Sequence, residues 1–295
     1  LVDISRLKEV YNDLDVEKKM MKKSKLYSSA FCGMCVFSML MYTIDPLVQC
    51  ARKGTTFNTV ITVWPLVEDS STSANVGRFV WNLLWWSMMS RVLGVYAFVF
   101  SLTSCMSHQF IDLQSYFLSL DSIFQSEKLS QILKERKYEE AFIIGIKLHY
   151  NTLQCVESTK NICGWLFSGQ IIFNITLLVL LLSQLLKSEG NLILVTAVGG
   201  AAFWIITGTG LFMCSAGDVT VEASALSTAM YSSGWHRCRG ASSLRVRRLV
   251  VTSMVYAQRP VVIKGLGILS LSYQSYVSLV KSTYSVFSIV FQKIK

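Results

Sequence analysis

The chain has 295 residues, of which 52% are apolar and only 16% are charged, with a mean hydropathy of +0.44 and a net charge of +10. Soluble domains carry nearer a quarter charged residues, so this composition excludes an ordinary soluble globular protein. It is typical of a protein that crosses a membrane several times.

Five apolar stretches are long enough to span a bilayer, because about 20 helical residues cover the hydrocarbon thickness. They lie at about 26–45, 80–104, 162–186, 191–217 and 265–292. The sequence therefore predicts an all-α polytopic membrane bundle built as one transmembrane domain, 1–295. The first span follows a charged leader and the chain opens at Leu1, so we expect a fragment of a longer protein.

Two regions between the spans are predicted to be helical and cytoplasmic, at about 105–160 and 218–258. In the first, Leu113, Phe117 and Leu120 recur on one helical stripe, so the span at 80–104 should continue beyond the bilayer. Such a stripe must pack on something, and a neighbouring subunit is one candidate. Just after the second, Pro260 fixes its own φ and disfavours helical geometry at the preceding residue, which predicts a helix break.

The basic residues are distributed unevenly between the two sides of these spans. Lys and Arg number 20 in the leader and alternate connections, against 4 in the other connections. By the positive-inside rule the basic side is cytoplasmic, so the C-terminus is expected outside the cell. The same distribution accounts for the net charge without a nucleic-acid partner.

Motifs that carry enzyme or metal chemistry are sparse in the sequence. Cys32 and Cys35 form a CxxC inside an apolar span, without the second pair that a structural zinc site needs. The three histidines have no metal-ligand spacing, and a glycosylation sequon at Asn174 falls inside a span. We therefore predict no enzyme activity, no metal and no cofactor.

Two polar features lie within the predicted spans. An isolated cation such as Arg91 costs roughly 2.5–3.5 kcal/mol at the bilayer centre, so it should face the bundle interior or water. The last span carries one polar face at helical spacing, formed by Gln274, Ser278, Lys281, Ser285, Ser288 and Gln292. This face fits either a water-lined path or a helix–helix interface joined by serines.

An ordered set of residues near the C-terminus resembles the signature of the insect odorant receptors: Tyr231, Trp235, Gln258, Pro260, Tyr284 and Ser285. The resemblance implies seven helices, oriented opposite to G-protein-coupled receptors, of which the first two would precede this chain. It also implies a ligand-gated non-selective cation channel in the plasma membrane of sensory-neuron dendrites. The implied partners are an odorant co-receptor in a heterotetramer, a small volatile ligand and the lipid bilayer.

The resemblance also suggests site residues on this chain. The pore and gate would be Lys281, Ser285, Phe287, Val290 and Phe291. Val290 stands where the co-receptor has Gln, which favours the ligand-selective subunit, although Phe287 lies off the polar face by about one residue's rotation. The implied ligand pocket comprises Phe37, Ser38, Met41, Tyr42, Trp81, Trp85, Met89 and Thr196, residues that also suit simple packing.

Two alternatives remain open at this point. Insect gustatory receptors have a Thr-Tyr pair followed five residues later by Gln-Phe, whereas Thr283-Tyr284 is followed here by Val290-Phe291. A small-solute transporter would need an inverted repeat or helices broken at the midplane, and the sequence suggests neither.

Overall fold

The computed structural model describes residues 14–53, 56–57, 69–125, 129–186, 192–240, 243–265 and 269–292, and these are almost entirely helical. Seven α-helices follow one another in this described part of the chain: α1 (Leu14–Lys53), α2 (Thr72–Ser119), the short α3 (Ser122–Gln125), α4 (Gln131–Leu186), α5 (Leu192–Tyr231), α6 (Ser243–Ala257) and α7 (Tyr273–Gln292). A single 3₁₀ turn, Trp235–Arg237, lies between α5 and α6. The predicted all-α fold is confirmed.

Four helices are much longer than a bilayer requires. α1, α2, α4 and α5 contain 40, 48, 56 and 40 residues. At 1.5 Å per residue, they are about two to three times as long as the hydrocarbon is thick. Three stretches of the described chain are both long and apolar enough to cross it, namely Thr72–Gln125, Gln131–Leu181 and Val198–Arg237. The predicted spans at 26–45 and 265–292 fall on α1 and α7 and stay predictions.

The last helix begins later than the hydropathy pattern suggests. Two short strands precede it, β1 (Lys264–Gly265) and β2 (Leu269–Ser270), paired antiparallel with Lys264 opposite Ser270. α7 begins only at Tyr273, where the Ser272 hydroxyl accepts a hydrogen bond from the Ser275 N–H at 3.2 Å. Serine is a favoured helix N-cap, so this local contact sets the boundary that hydropathy placed at 265.

The described residues divide into two compact units. The first unit comprises 14–25, 100–170 and 212–278. Its core is aromatic, since Phe117 and Tyr138 both pack on Phe142 with ring centroids 5.2 and 5.8 Å apart. Leu113, Phe117 and Leu120 are all buried. The stripe that the sequence offered to a neighbouring subunit is therefore part of this chain's own core, covered by α4.

The second unit comprises 26–99, 171–211 and 279–292. In α1 the buried stripe is Phe31, Cys35 and Met39, spaced by four residues as a helix face requires. α1 and α2 are also joined by a hydrogen bond from the Trp86 indole N–H to the Thr43 hydroxyl at 3.1 Å.

Candidate functional site

The signature turn at the end of α5 is a compact C-cap. The Trp235 indole N–H donates to the Tyr231 carbonyl at 3.0 Å, and the two rings lie 6.2 Å apart. Gly234, which caps the start of the 3₁₀ turn, adopts φ +88°, a left-handed conformation that glycine reaches without strain. Tyr138 and Ser233 share a buried hydrogen bond of 2.5 Å. The Tyr and Trp of the signature thus fix the exit from α5, which a motif alone does not reveal.

Replacing Gly234 by Ala is expected to lower the free energy of unfolding by about 1–3 kcal/mol, since a side chain at this φ is strained. An added Cβ would also lie 3.1 Å from the Asp121 Cα. Gly164→Ala is the matched control, because a Cβ there meets nothing within 4 Å. Thermal unfolding of the purified receptor checks this, and equal melting temperatures for the two variants would contradict the capping role.

A buried carboxylate that sequence reasoning missed shapes the connection from the turn to α6. Glu135 accepts hydrogen bonds from the backbone N–H groups of Arg239 and Gly240 at 2.8 and 2.9 Å. Arg245, at the start of α6, pairs with Glu139 at 2.5 Å through two nitrogens. Two acidic residues of α4, one helical turn apart, therefore orient α6.

The predicted break after α6 is present. The helix ends at Ala257, and the following Gln258 N–H still bonds the Met254 carbonyl at 3.0 Å. Past Pro260 the chain is extended, and the Thr220 hydroxyl of α5 donates to the Val261 carbonyl at 2.7 Å. The Gln-x-Pro element thus turns the chain from α6 toward the β1–β2 hairpin and α7.

Most of the polar face of α7 is exposed among the described residues. Gln274, Ser278, Lys281 and Ser285 are all exposed, as is the signature residue Tyr284, whereas Ser288 is half-buried. The Ser285 hydroxyl bonds only along the helix, to the Lys281 carbonyl at 3.0 Å, among the contacts described for it. The described part of the chain therefore leaves most of this face exposed. The side chains of Phe287, Val290 and Phe291 lie outside the described residues.

Of the eight residues expected to form the ligand pocket, the structure describes the side chains of four, and the pocket stays a prediction. Phe37 is 60% exposed and Trp81 is exposed, whereas Trp85 and Met89 are half-buried. Phe37 lies opposite the buried stripe of α1, because two residues along a helix correspond to about 200° of rotation from Cys35. The side chains of Ser38, Met41, Tyr42 and Thr196 lie outside the described residues.

The structure brings three further aromatic residues together in the second unit. Phe31 of α1 stacks on Trp204 of α5 with ring centroids 5.7 Å apart, and Tyr96 of α2 meets Phe31 at 5.1 Å and Trp204 at 6.1 Å. Gly208 allows the close approach, since a Cβ there would lie 2.9 Å from the Phe31 ring. We call Phe31, Tyr96 and Trp204 the aromatic cluster.

A polar chain adjoins the aromatic cluster. The Tyr96 hydroxyl donates to the Asn174 side-chain oxygen at 2.7 Å, and the Asn174 amide donates to Thr209 at 2.8 Å. The sequon asparagine is thus buried and engaged at both ends of its amide. By contrast, the buried Trp204 Nε1–H finds no acceptor among the described residues. An unsatisfied buried donor costs about 1–3 kcal/mol, so this is the polar atom that a bound acceptor would stabilise most.

The remaining polar features do not form a reactive centre in the described chain. Arg91 is exposed on α2, so its guanidinium lies outside the chain's own interior. No group of three or more His, Cys, Asp or Glu among the described residues could hold a metal ion.

Three helices long and apolar enough to cross a bilayer are typical of a multi-pass helical membrane protein. A family model described as "7tm Odorant receptor" matches residues 4–284, and the chain belongs to that family. This places it with receptors rather than enzymes and sets aside the gustatory-receptor and transporter alternatives.

Solved structures agree on the fold. The chain is similar to the insect olfactory receptor OR5 from Machilis hrabei, with a TM-score of 0.76 and 14% identity over 95% of this chain and 68% of that one. The same receptor in complex with eugenol matches with a TM-score of 0.72, the same identity and the same coverage. No curated protein matches the sequence.

Proposed function

We propose that this chain is the ligand-selective subunit of an odorant-gated, non-selective cation channel, with no catalytic role. The observation that carries the ligand site is the Trp204 Nε1–H inside the aromatic cluster, which is buried without an acceptor among the described residues. Small-molecule sites are mostly apolar with a few placed polar groups, and this cluster has that composition. A ligand that supplies one acceptor oxygen would satisfy the donor while its hydrocarbon part meets the aromatic rings.

The ligand class follows from this chemistry. A small volatile with one carbonyl, ether or hydroxyl oxygen fits the cluster, and the relative from Machilis hrabei was solved with eugenol, an oxygen-bearing aromatic volatile. Around the aromatic cluster we place the wider pocket suggested by the sequence: Phe37, Ser38, Met41, Tyr42, Trp81, Trp85, Met89 and Thr196. Half-buried Trp85 and Met89 are the members best supported by their burial.

The proposal is tested by expressing the full-length protein with an odorant co-receptor in cells lacking other receptors. A panel of oxygen-bearing volatiles and their hydrocarbon counterparts is then applied while intracellular calcium is imaged. We expect responses only when both subunits are present, and greater sensitivity to some oxygen-bearing members of the panel than to their hydrocarbon counterparts. The proposal would be contradicted if the protein reaches the cell surface with the co-receptor and no volatile of the panel evokes a calcium response.

Assembly with the co-receptor is supported by an exposed apolar stripe on α6. Leu244, Val251 and Val255 are 66%, 57% and 63% exposed and recur at heptad-like spacing, while Val246 and Val250 on the other face are buried. An apolar helical seam of this kind favours helix–helix pairing. We place the intersubunit contact of a heterotetramer on this stripe.

Val251→Asp is expected to reduce co-purification with the co-receptor severely, since a charge buried in an apolar interface costs several kcal/mol. Thr252→Asp, one residue along the same helix and also exposed, is the matched control. Pull-down through a tag on the co-receptor measures the effect. Equal loss for both variants would indicate a folding defect, and no loss for Val251→Asp would place the contact elsewhere.

The orientation in the plasma membrane follows from the basic residues. Since 20 of them fall on one side against 4 on the other, we place the N-terminal side in the cytoplasm and the C-terminus outside. Epitope tags at both ends of the intact protein should stain without permeabilisation only at the C-terminus. Staining of the N-terminal tag on intact cells would reverse the topology.

A further inference from the structure

A cleft of about 310 Å³ lies in the first unit beside the helix break that follows α6. It is lined by one face of α4 from His149 to Lys160, by Ala223 of α5, and by the segment from Tyr256 to Val261. Two cations, Lys160 and Arg259, belong to its lining. Nothing in the aromatic cluster or the polar face of α7 uses this cleft.

The polar groups of the cleft suit an anion. The Arg259 guanidinium sits 5.0 Å from the centroid of the Tyr256 ring, a cation–π contact that holds it in place. The Tyr150 oxygen accepts a hydrogen bond from Gln154 at 3.0 Å, so its own hydroxyl hydrogen remains to be donated. Lys160 is paired with Glu157 at 3.3 Å, and that acid is the one lining group that opposes an anion.

The residues that follow Lys160 indicate where the bilayer surface lies. Ile162 is 77% exposed and Trp165 is 87% exposed, and both point out of the described chain at the start of the predicted span 162–186. Apolar side chains this exposed belong in lipid, and tryptophan is enriched at the membrane interface. The cleft therefore adjoins the level of the headgroups.

We propose that this cleft binds the phosphate-bearing headgroup of an anionic lipid of the cytoplasmic leaflet. Basic pockets between transmembrane helices on the cytoplasmic side take such headgroups. The lipid would contact Lys160 on α4 and Arg259 on the segment that leads to α7, and so fix that segment, which Thr220 already holds through the Val261 carbonyl at 2.7 Å. This assignment rests on the proposed cytoplasmic orientation of 105–160.

The test measures the affinity of the detergent-purified intact receptor for fluorescent phosphatidylinositol bisphosphate. One surface cation contributes about 1 kcal/mol, so Lys160→Gln and Arg259→Gln should each weaken binding about fivefold. Glu157→Gln should strengthen binding by a similar factor because it removes the opposing charge and frees Lys160. Lys147→Gln, an equal charge change at an exposed position of α4 outside the cleft lining, should leave the affinity unchanged.

Three results would overturn the assignment. Equal losses for Lys147→Gln and Lys160→Gln would mean general attraction to a basic protein, and Glu157→Gln without a gain would remove the cleft from the binding site. Competition by the soluble headgroup at the same affinity as the intact lipid would assign the cleft to a free phosphate compound. Lipid binding is measured without odour or current, so its outcome does not depend on the channel proposal. The experiment with tagged termini tests the orientation separately.

Discussion

Trp204→Phe is expected to reduce sensitivity to oxygen-bearing odorants by up to about tenfold, while sensitivity to their hydrocarbon counterparts stays the same. Phenylalanine keeps an aromatic ring against Phe31 and Tyr96 but removes the indole N–H, which is buried without an acceptor among the described residues. A net hydrogen bond contributes about 0.5–1.5 kcal/mol, which is the origin of the tenfold limit. Concentration–response curves for matched ligand pairs measure the change.

The stability of the unliganded Trp204→Phe variant gives a second test. Removing a donor that has no partner offsets part of the packing lost with the smaller ring, so we expect little change in melting temperature. Trp86→Phe is the matched control, because its Nε1–H already donates to Thr43 at 3.1 Å. That control should lose stability and keep its ligand discrimination. If both variants shift the concentration–response curves of oxygen-bearing and hydrocarbon ligands equally, the aromatic cluster does not form a hydrogen bond with the ligand's oxygen.

Lys281→Glu is expected to raise the permeability of divalent relative to monovalent cations. The reason is that an acidic side chain near the path raises the local cation concentration, by roughly tenfold. Lys281 lies in the exposed polar face of α7, which the chain's own described helices leave uncovered. In an assembly of several subunits, that face is free to meet either water or a neighbouring chain. An acidic side chain in a water-filled path attracts cations that a lysine repels, and reversal potentials under bi-ionic conditions report this.

Lys264→Glu provides the control for charge alone, since Lys264 is exposed on β1 and lies outside α7. Phe287→Ala adds a second readout on the same helix. Large apolar side chains close pores by dewetting, so a smaller one should raise the basal current. Unchanged reversal potentials for Lys281→Glu, together with a normally closed Phe287→Ala channel, would remove α7 from the conduction path and leave its polar face as an interface between subunits.

The architecture was largely accessible from the sequence because hydropathy and helical periodicity are local signals. The continuation of α2 past residue 104, the break at Pro260 and the ordered signature from Tyr231 to Ser285 all follow from spacing along the chain. The extent of the helices did not, since α1 runs to Lys53 and α2 begins at Thr72 with polar residues that hydropathy reads as loop. The β1–β2 hairpin was also missed, because strands of two residues are too short to show a periodic pattern and Leu269–Ser270 falls inside the predicted span 265–292.

The site was less accessible, because burial of a single face depends on which helices pack together. Phe31 and Phe37 are equally apolar and lie on the same predicted helix, yet only Phe31 is buried against Trp204. In the sequence, Asn174 is only a glycosylation sequon inside a predicted span. In the structure it joins Tyr96 and Thr209 through hydrogen bonds. Glu135 likewise carries no motif, and its role depends on backbone groups more than a hundred residues away.

The central claim is that the odorant opens a cation path formed by the receptor itself, and an outside-out patch tests it most directly. The patch would come from cells expressing the full-length chain with the co-receptor, with nucleotide-free solution and a G-protein blocker in the pipette. We predict an odour-evoked current with little selectivity among monovalent cations, and a shift of its reversal potential when this subunit carries Lys281→Glu. An odour response that survives in intact cells but vanishes in the nucleotide-free patch would contradict the claim and assign the current to a separate channel.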